Sequence, residues 1–459
     1  MTNDSASTQE KTSSAADQII SFLQEILHAD PEGAVGEPQK QKRGRPATLS
    51  QDHLWLALLV AVLKGMTGFA SIWRLISWQG VGSFLPLKMT RDGLRKRLLK
   101  EQLDSLQELL SRVTTALLRW TAPCADQDLA PFAPQVVALD ESTLDAVRRL
   151  SEDVREEARG NSRLLVGKLA GLFDLRRQQW IRLHFREDVL ANCKADVQAL
   201  LDGLAPRSLI LADLGYFGFP WFDWLTDQGY WWLSRLRERT SYEVVSILLE
   251  QSDVLDALIW LGAYRSDRSK NLVRLIQFSY HGICYRYITN VLDPQLLSIH
   301  DAARLYARRW DIELAFKLLK KELGLSLWWA CHPTLVLQQL WAAVILAQIL
   351  HALHLHVAFQ AGVDLFEVSM PVLVSLIRQA PQDSRGSSLV SLLVDNGPAL
   401  GLIRPSRRYR SIVPAILKPY TPLPSNLPLP RSPRQSNRAD NLRSPIVPFL
   451  PRFSSCLMI

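Results

Sequence analysis

Cysteine is scarce in this chain. Five residues, Cys124, Cys193, Cys284, Cys331 and Cys456, are scattered over 459 positions. An odd, unpatterned set excludes a disulfide-built scaffold and predicts reduced, intracellular thiols. Cys331 and His332 are neighbours rather than parts of a zinc module. A Gly-rich phosphate loop is also missing, so neither nucleotide hydrolysis nor a nucleotide cofactor is implied. No internal repeat marks a solenoid. The first apolar run follows polar, acidic residues without a basic leader, so a secretory signal is not expected and the reading is cytoplasmic.

Two stretches are poor in acids. Residues 334–360 contain no Asp, Glu, Lys or Arg and are long enough to span a bilayer. Gln338, Gln339, Gln348, His351, His354 and His356 suit lipid poorly, so a buried helix is predicted and no membrane partner. The histidines read as satisfied core or interface residues rather than metal ligands. Residues 401–459 hold ten Lys or Arg against the single acid Asp440, together with 11 prolines, while the whole chain carries a net charge of +8. The formal basicity therefore lies in a tail that is not expected to pack as a domain. Delocalised phosphate contacts, a second subunit and a functionless extension are all open readings of it.

What the chain does have is a dense segment from Tyr306 to Glu322, YARRWDIELAFKLLKKE. At about 100° per residue, Tyr306, Arg309, Glu313, Lys317 and Lys320 fall within roughly 80° of one another on a helix. A carboxylate among cations on one face can ligate a metal while its neighbours hold a polyanion. Two further acids end buried-strand patterns: Asp140 after Val136–Leu139 in QVVALDESTL, and Asp213 after Leu209–Ala212 in SLILADLGYFGF. Alone, either Asp reads as a cap or turn residue. Together with Glu313 they form an oxygen donor set suited to Mg²⁺ or Mn²⁺, the cations used in pairs for phosphodiester chemistry. Arg309 would offer a planar fork to phosphate, and Lys317 and Lys320 point charges.

With these residues in view, the chain resembles the Asp-Asp-Glu (DDE) transposases of bacterial insertion sequences. Tyr306, Arg309, Glu313 and Lys320 match the spacing of the subgroup with the Tyr-Arg-Glu-Lys signature, and Trp310 and Ile312 match its RW-x-I-E core. LDESTL and ADLGYFGF resemble the two Asp blocks, over approximately residues 130–360. Leu214 departs from the Arg that often follows the second Asp, and Glu141 from the small residue that often follows the first. The resemblance implies catalysis and metal binding by Asp140, Asp213 and Glu313 with two Mg²⁺ ions, for which Mn²⁺ may substitute. It also implies phosphate contacts from Tyr306, Arg309 and Lys320. The implied partners are transposon-end DNA, target DNA and a second copy in a paired-end homodimer. The implied reaction is cut-and-paste strand transfer in a bacterial cytoplasm, close to the nucleoid. A nuclease or resolvase using the same acids, and an inactive DNA-binding remnant, are the alternatives.

The fold class expected is α/β: a ribonuclease-H-like catalytic core with a β-rich insertion, preceded by a helical N-terminal domain. Strands are predicted at 135–140, 164–174, 179–186 and 208–213, a helix near 189–203, a short helix near 219–228 and a strand at 229–236. The division is residues 1–48, a polar arm and basic linker; 49–125, helical and DNA-binding; and 130–236, the first part of the core. It continues with 237–298, the β insertion; 299–360, the catalytic and closing helices; 361–400, helical; and 401–459, the tail. Within the insertion, residues 273–293 alternate around Gly282 as a hairpin. Arg91, Arg95, Lys96 and Arg97, on a helix capped by Thr90, are candidate DNA contacts, as are Lys40, Lys42, Arg43 and Arg45 in the linker. Trp231, Trp232, Trp260 and Tyr285 are candidate stacking residues for an unpaired base, with core packing the plainer reading of each.

Overall fold

A computed structural model describes residues 15–28, 49–144, 167–190, 192–194, 197–262, 268–330, 332–379, 388–405, 412–431 and 456–458. Lys40, Lys42, Arg43, Arg45 and Cys331 lie outside these residues. Five helices come first: α1 (Ala15–His28), α2 (Gln51–Leu63), α3 (Phe69–Arg74), α4 (Arg91–Lys100) and α5 (Asp104–Thr121). Ser50 caps α2 by accepting from the His53 amide, and Thr90 caps α4 by accepting from Gly93, as expected.

The sheet follows. Strands β1 (Val136–Leu144), β2 (Gly167–Asp174) and β3 (Gln179–Arg186) form an antiparallel meander. A short helix α6 (Val197–Leu201) leads to β4 (Leu209–Ala212), which runs parallel to β1. Helix α7 (Phe219–Asp227) leads to β5 (Trp231–Arg235), parallel to β4. The order β3-β2-β1-β4-β5 matches a ribonuclease-H-like layout. Among the described residues of the helix predicted at 189–203, regular helix covers the five of α6. Elsewhere the expected strands recur with ends shifted by a few residues.

The insertion is larger than one hairpin. Strands β6 (Tyr242–Gln251), β7 (Val254–Leu261), β8 (Val273–Tyr280) and β9 (Ile283–Thr289) pair antiparallel in succession, and β9 also pairs with β5. The insertion thus extends the β3-β2-β1-β4-β5 sheet edge to edge. Its β8–β9 turn needs positive φ at two positions, His281 at +46° and Gly282 at +76°, the conformation of a tight hairpin. At the other edge, β10 (Cys456–Met458) pairs with β3.

Helices α8 (Ile299–Arg308), α9 (Asp311–Lys317), α10 (Pro333–Ala361), α11 (Met370–Gln379) and α12 (Leu389–Asn396) complete the fold. Among the described residues α10 is the one helix long and apolar enough to cross a membrane, but 89% of its most apolar window is buried inside the protein. It packs against α2, α5 and β3. Its polar residues explain themselves there. The Gln348 amide donates to Thr114 Oγ1 (3.1 Å) and to the Trp180 carbonyl (3.0 Å), while its oxygen accepts from the Trp180 amide (2.8 Å). Gln338 donates to the Leu98 carbonyl. The N-terminal helices and the catalytic sheet consequently share one apolar core through α10.

Part of the Pro-rich tail is ordered against the insertion. Residues 412–431 run extended along it, with the Thr421 amide donating to Leu248, Lys418 to Glu250 and the Arg431 amide to Lys270. Tyr420 and Leu423 pack on Leu248, Leu258, Trp260 and Leu272. Proline-set extended backbone has less entropy to lose on docking, which is why a segment unable to form a domain still finds a seat.

Gly171 tests the tightness of the sheet. A Cβ there would lie 2.5 Å from Trp180 Cζ3 and 2.9 Å from Leu183 Cδ2. Gly171→Ala is expected to lower stability by about 1–3 kcal/mol in denaturant unfolding; a neutral result would contradict the packing around Trp180.

Candidate active site

Strand β4 ends beside the middle of β1, with Leu139 in register with Ala212; β1 runs on to Leu144 paired with β2, so Asp140 lies within its strand rather than at the strand end expected. Asp140 follows Leu139 on β1, and Asp213 follows the last residue of β4, so the two carboxylates emerge together. Each uses Oδ1 locally: Asp140 accepts from the Glu141 amide at 2.8 Å and Asp213 from the Gly215 amide at 2.7 Å. Asp213 is therefore also a cap, of the 3₁₀ turn Leu214–Tyr216, and the two roles are compatible because one oxygen is left over.

The third acid arrives on α9, whose entry is fixed by a buried polar network. Arg308 donates to Asp311 (2.7 Å), Asp126 (3.1 Å) and the Leu175 carbonyl (2.7 Å), and Gln178 donates to Asp311. Ile312, Ala315 and Phe316 face the core, Phe316 against Trp180 at 4.9 Å. This turns Glu313 toward the strands. Asp140, Glu141, Ser142, Asp213, Glu313, Phe316, Lys317, Lys320 and Lys321 line one cleft of about 470 Å³.

The single helix expected over 306–322 is corrected here. Regular helix stops at Arg308, resumes at Asp311 and widens into a π turn over Leu318–Glu322. A π turn inserts an extra residue per turn, and Lys321 accordingly joins Lys317 and Lys320 at the cleft. Counting at 100° per residue puts Lys321 about 80° from Glu313, at the margin of the charged face, and the π turn carries it inward.

Burial pushes Asp140 up to about 7, with the charges of Asp213 and Glu313 adding to it and the Glu141 amide and Arg309 opposing it. Three distant segments are thus close enough to sense one another. The sign of the pH effect follows. Below pH of about 4 the carboxyl is protonated folded or unfolded; between about 4 and 7 only the unfolded chain ionises it freely, so stability falls as pH rises. In EDTA, Asp140→Asn is expected to unfold at a higher temperature than wild type at pH 8, by on the order of 4 kcal/mol, and to lose that advantage near pH 4. Melting curves across this range would test it, and a constant gap would refute the assignment.

The remaining predicted residues are distributed as follows. Arg309 is buried, donates to Glu313 at 2.6 Å and lies 3.9 Å from Asp140. Tyr306 is half-buried against Tyr287 at 4.9 Å, and burial pushes its phenol up to about 12. Lys320 donates to the Thr143 carbonyl. Glu141 faces Lys168 at 2.8 Å, so its extra charge is matched by a partner on β2. Arg91, Arg95 and Lys96 are exposed on α4, whereas Arg97 pairs with Glu101 and reaches the Leu49 carbonyl. Trp231 is half-buried. Trp232 is buried, stacked on Phe222 at 4.3 Å, and its indole donates to Thr226. Trp260 is covered by Arg431 at 4.1 Å and Tyr285 stacks on Phe278. As placed, Trp232 and Trp260 are packing residues, because each ring already has a partner on its face.

The histidines of α10 are only partly satisfied. His354 donates to the Val368 carbonyl and His356 to that of Trp120, but neither ring nitrogen of His351 has a hydrogen-bond partner. Burial holds His351 down at about 3 and His354 at about 4, both neutral. Sequence reasoning passed over Arg237, whose guanidinium lies 4.8 Å from the Phe217 ring and donates to the Leu214 carbonyl at 3.1 Å. A cation thus stands at the Leu214 turn; it is supplied from beyond β5, out of reach of any local motif.

The donor set in the cleft fits hard divalent ions: carboxylate oxygens without sulfur or imidazole. In the arrangement seen, however, no three His, Cys, Asp or Glu side chains among the described residues close to the spacing of a single-ion shell. The donor chemistry decides the fit; the Arg309 guanidinium lies between Asp140 and Glu313 in this arrangement.

A family model described as Transposase DDE domain matches residues 131–349. This segment, from just before β1 into α10, is a transposase DDE domain, and it contains all three acids. No curated protein matches the chain.

Proposed function

We propose that this protein is a cut-and-paste DNA transposase of the Tyr-Arg-Glu-Lys subgroup, acting in a bacterial cytoplasm on transposon ends and target DNA. The observation that carries the reading is the meeting of Asp140, Asp213 and Glu313 in one cleft edged by Lys317, Lys320 and Lys321. Two divalent ions held by these carboxylates would supply an activated oxygen nucleophile and stabilise the departing one. The chain's own residues do the rest. The lysines neutralise phosphate oxygens as charge develops on them. Arg309 and Tyr306 orient the backbone at the transposon end, and Arg237 supplies a further cation beside the second Asp. Exposed Arg91 and Arg95 on α4 add contacts outside the catalytic domain. Paired ends imply two copies in the assembled complex.

Incubating the protein with labelled element ends, a target plasmid and Mg²⁺ tests the reading. Labelled ends joined to the plasmid are expected. Cleavage without joining would instead identify a metal-dependent nuclease using the same three acids.

A further inference from the structure

We propose that Arg309 is the resident counter-ion of the carboxylate cleft: its guanidinium competes with divalent cations for Asp140 and Glu313, and their arrival frees it for a phosphate. The inference rests on reading the cleft as a metal site. One guanidinium spans two of the three acids, with Nη2 at 2.6 Å from Glu313 Oε1 and Nη1 at 3.9 Å from Asp140 Oδ2. Its side chain is only 8% exposed. Carboxylates grouped at a partly dehydrated site repel one another, and a cation between them relieves this.

Lys317 and Lys321 line the cleft as well, but among the described residues no ion pair ties either to Asp140 or Glu313 as it does Arg309. Three further cations near the acids are committed elsewhere. Lys168 faces Glu141, Lys320 donates to Thr143, and Arg308 is held by Asp126 and Asp311. Arg309, by contrast, is incompletely satisfied: Nε and Nη1 are buried without hydrogen-bond partners. A guanidinium fork with unused donors suits the oxygens of a phosphate better than its present seat. Nearby rings offer it faces to move across, with Tyr306 at 5.8 Å and Trp310 at 5.7 Å from Cζ. Competition for the same oxygens has a reciprocal consequence. Removing the guanidinium must tighten the binding of a divalent ion in the absence of DNA. A residue that only touches DNA would leave that affinity unchanged.

The test uses full-length protein without DNA and Mn²⁺ as the probe, with free ion followed by electron paramagnetic resonance. Arg309→Gln is expected to bind Mn²⁺ about tenfold more tightly than wild type, since one positive charge no longer opposes the ion. In EDTA it should melt at a lower temperature than wild type, and Mn²⁺ should raise its melting temperature by the larger amount. Arg309→Lys, whose ammonium cannot span both acids, gives a smaller tightening in the same direction and serves if the Gln variant folds poorly. Unchanged or weaker Mn²⁺ binding in both variants overturns the counter-ion role while leaving the metal site intact. Wild-type binding that Asp140→Asn does not reduce overturns the metal reading and this inference with it.

Discussion

Glu313→Gln is expected to lower end cleavage and strand joining together, on the order of a thousandfold, while the protein still folds and still binds its DNA ends. Gln keeps the shape of the side chain and removes its charge. Glu313 lines the cleft with Lys317, Lys320 and Lys321, and its side chain is 30% exposed, so little apolar packing is lost. The change does replace the charged acceptor of the 2.6 Å bond from Arg309 with a neutral amide oxygen, and melting curves must therefore accompany the kinetics. Activity within about tenfold of wild type, in a variant with unchanged melting, would remove Glu313 from the chemistry.

The second large effect lies far from the acids. In the insertion, Arg274 holds Asp256 with two bonds, at 2.8 and 2.6 Å, both side chains being wholly buried. Its remaining arm donates to the Leu297 carbonyl at 2.7 Å, just before α8. Asp256→Ala would strand a buried guanidinium and is expected to cost about 3–5 kcal/mol in denaturant unfolding. Replacing both partners, Asp256→Leu with Arg274→Met, should come back close to wild type or exceed it, because the cost lies in the unpaired charge rather than in the absence of the pair. A double variant as weak as the single one would show that the bond to Leu297 matters more.

Much of the site was legible because it is written in short-range pattern. Continuous apolar runs leading into Asp140 and Asp213 read as buried strands, and those strands are parallel and adjacent; Asp213 follows the end of its strand, whereas Asp140 lies within β1, which continues to Leu144. The cations around Glu313 were legible by periodicity, up to the π turn that admits Lys321. What stayed hidden depends on chain segments far apart. Arg237 at the Leu214 turn and the joining of β9 to β5 are tertiary facts with no local signature. The aromatic candidates failed to discriminate for a similar reason. Trp231 and Trp232 are adjacent in sequence but point to opposite sides of a strand, and only one is buried deeply enough to be fixed by its neighbours.

The seat taken by residues 412–431 also sets an order of events during synthesis. The outer side of the insertion, including Leu258 and Trp260, is covered by Tyr420, Leu423 and Arg431, which leave the ribosome after everything they cover. Until then a nascent chain carries a bare oily surface. A product truncated near residue 405 would keep it for good, making such fragments sticky while the full-length protein is not.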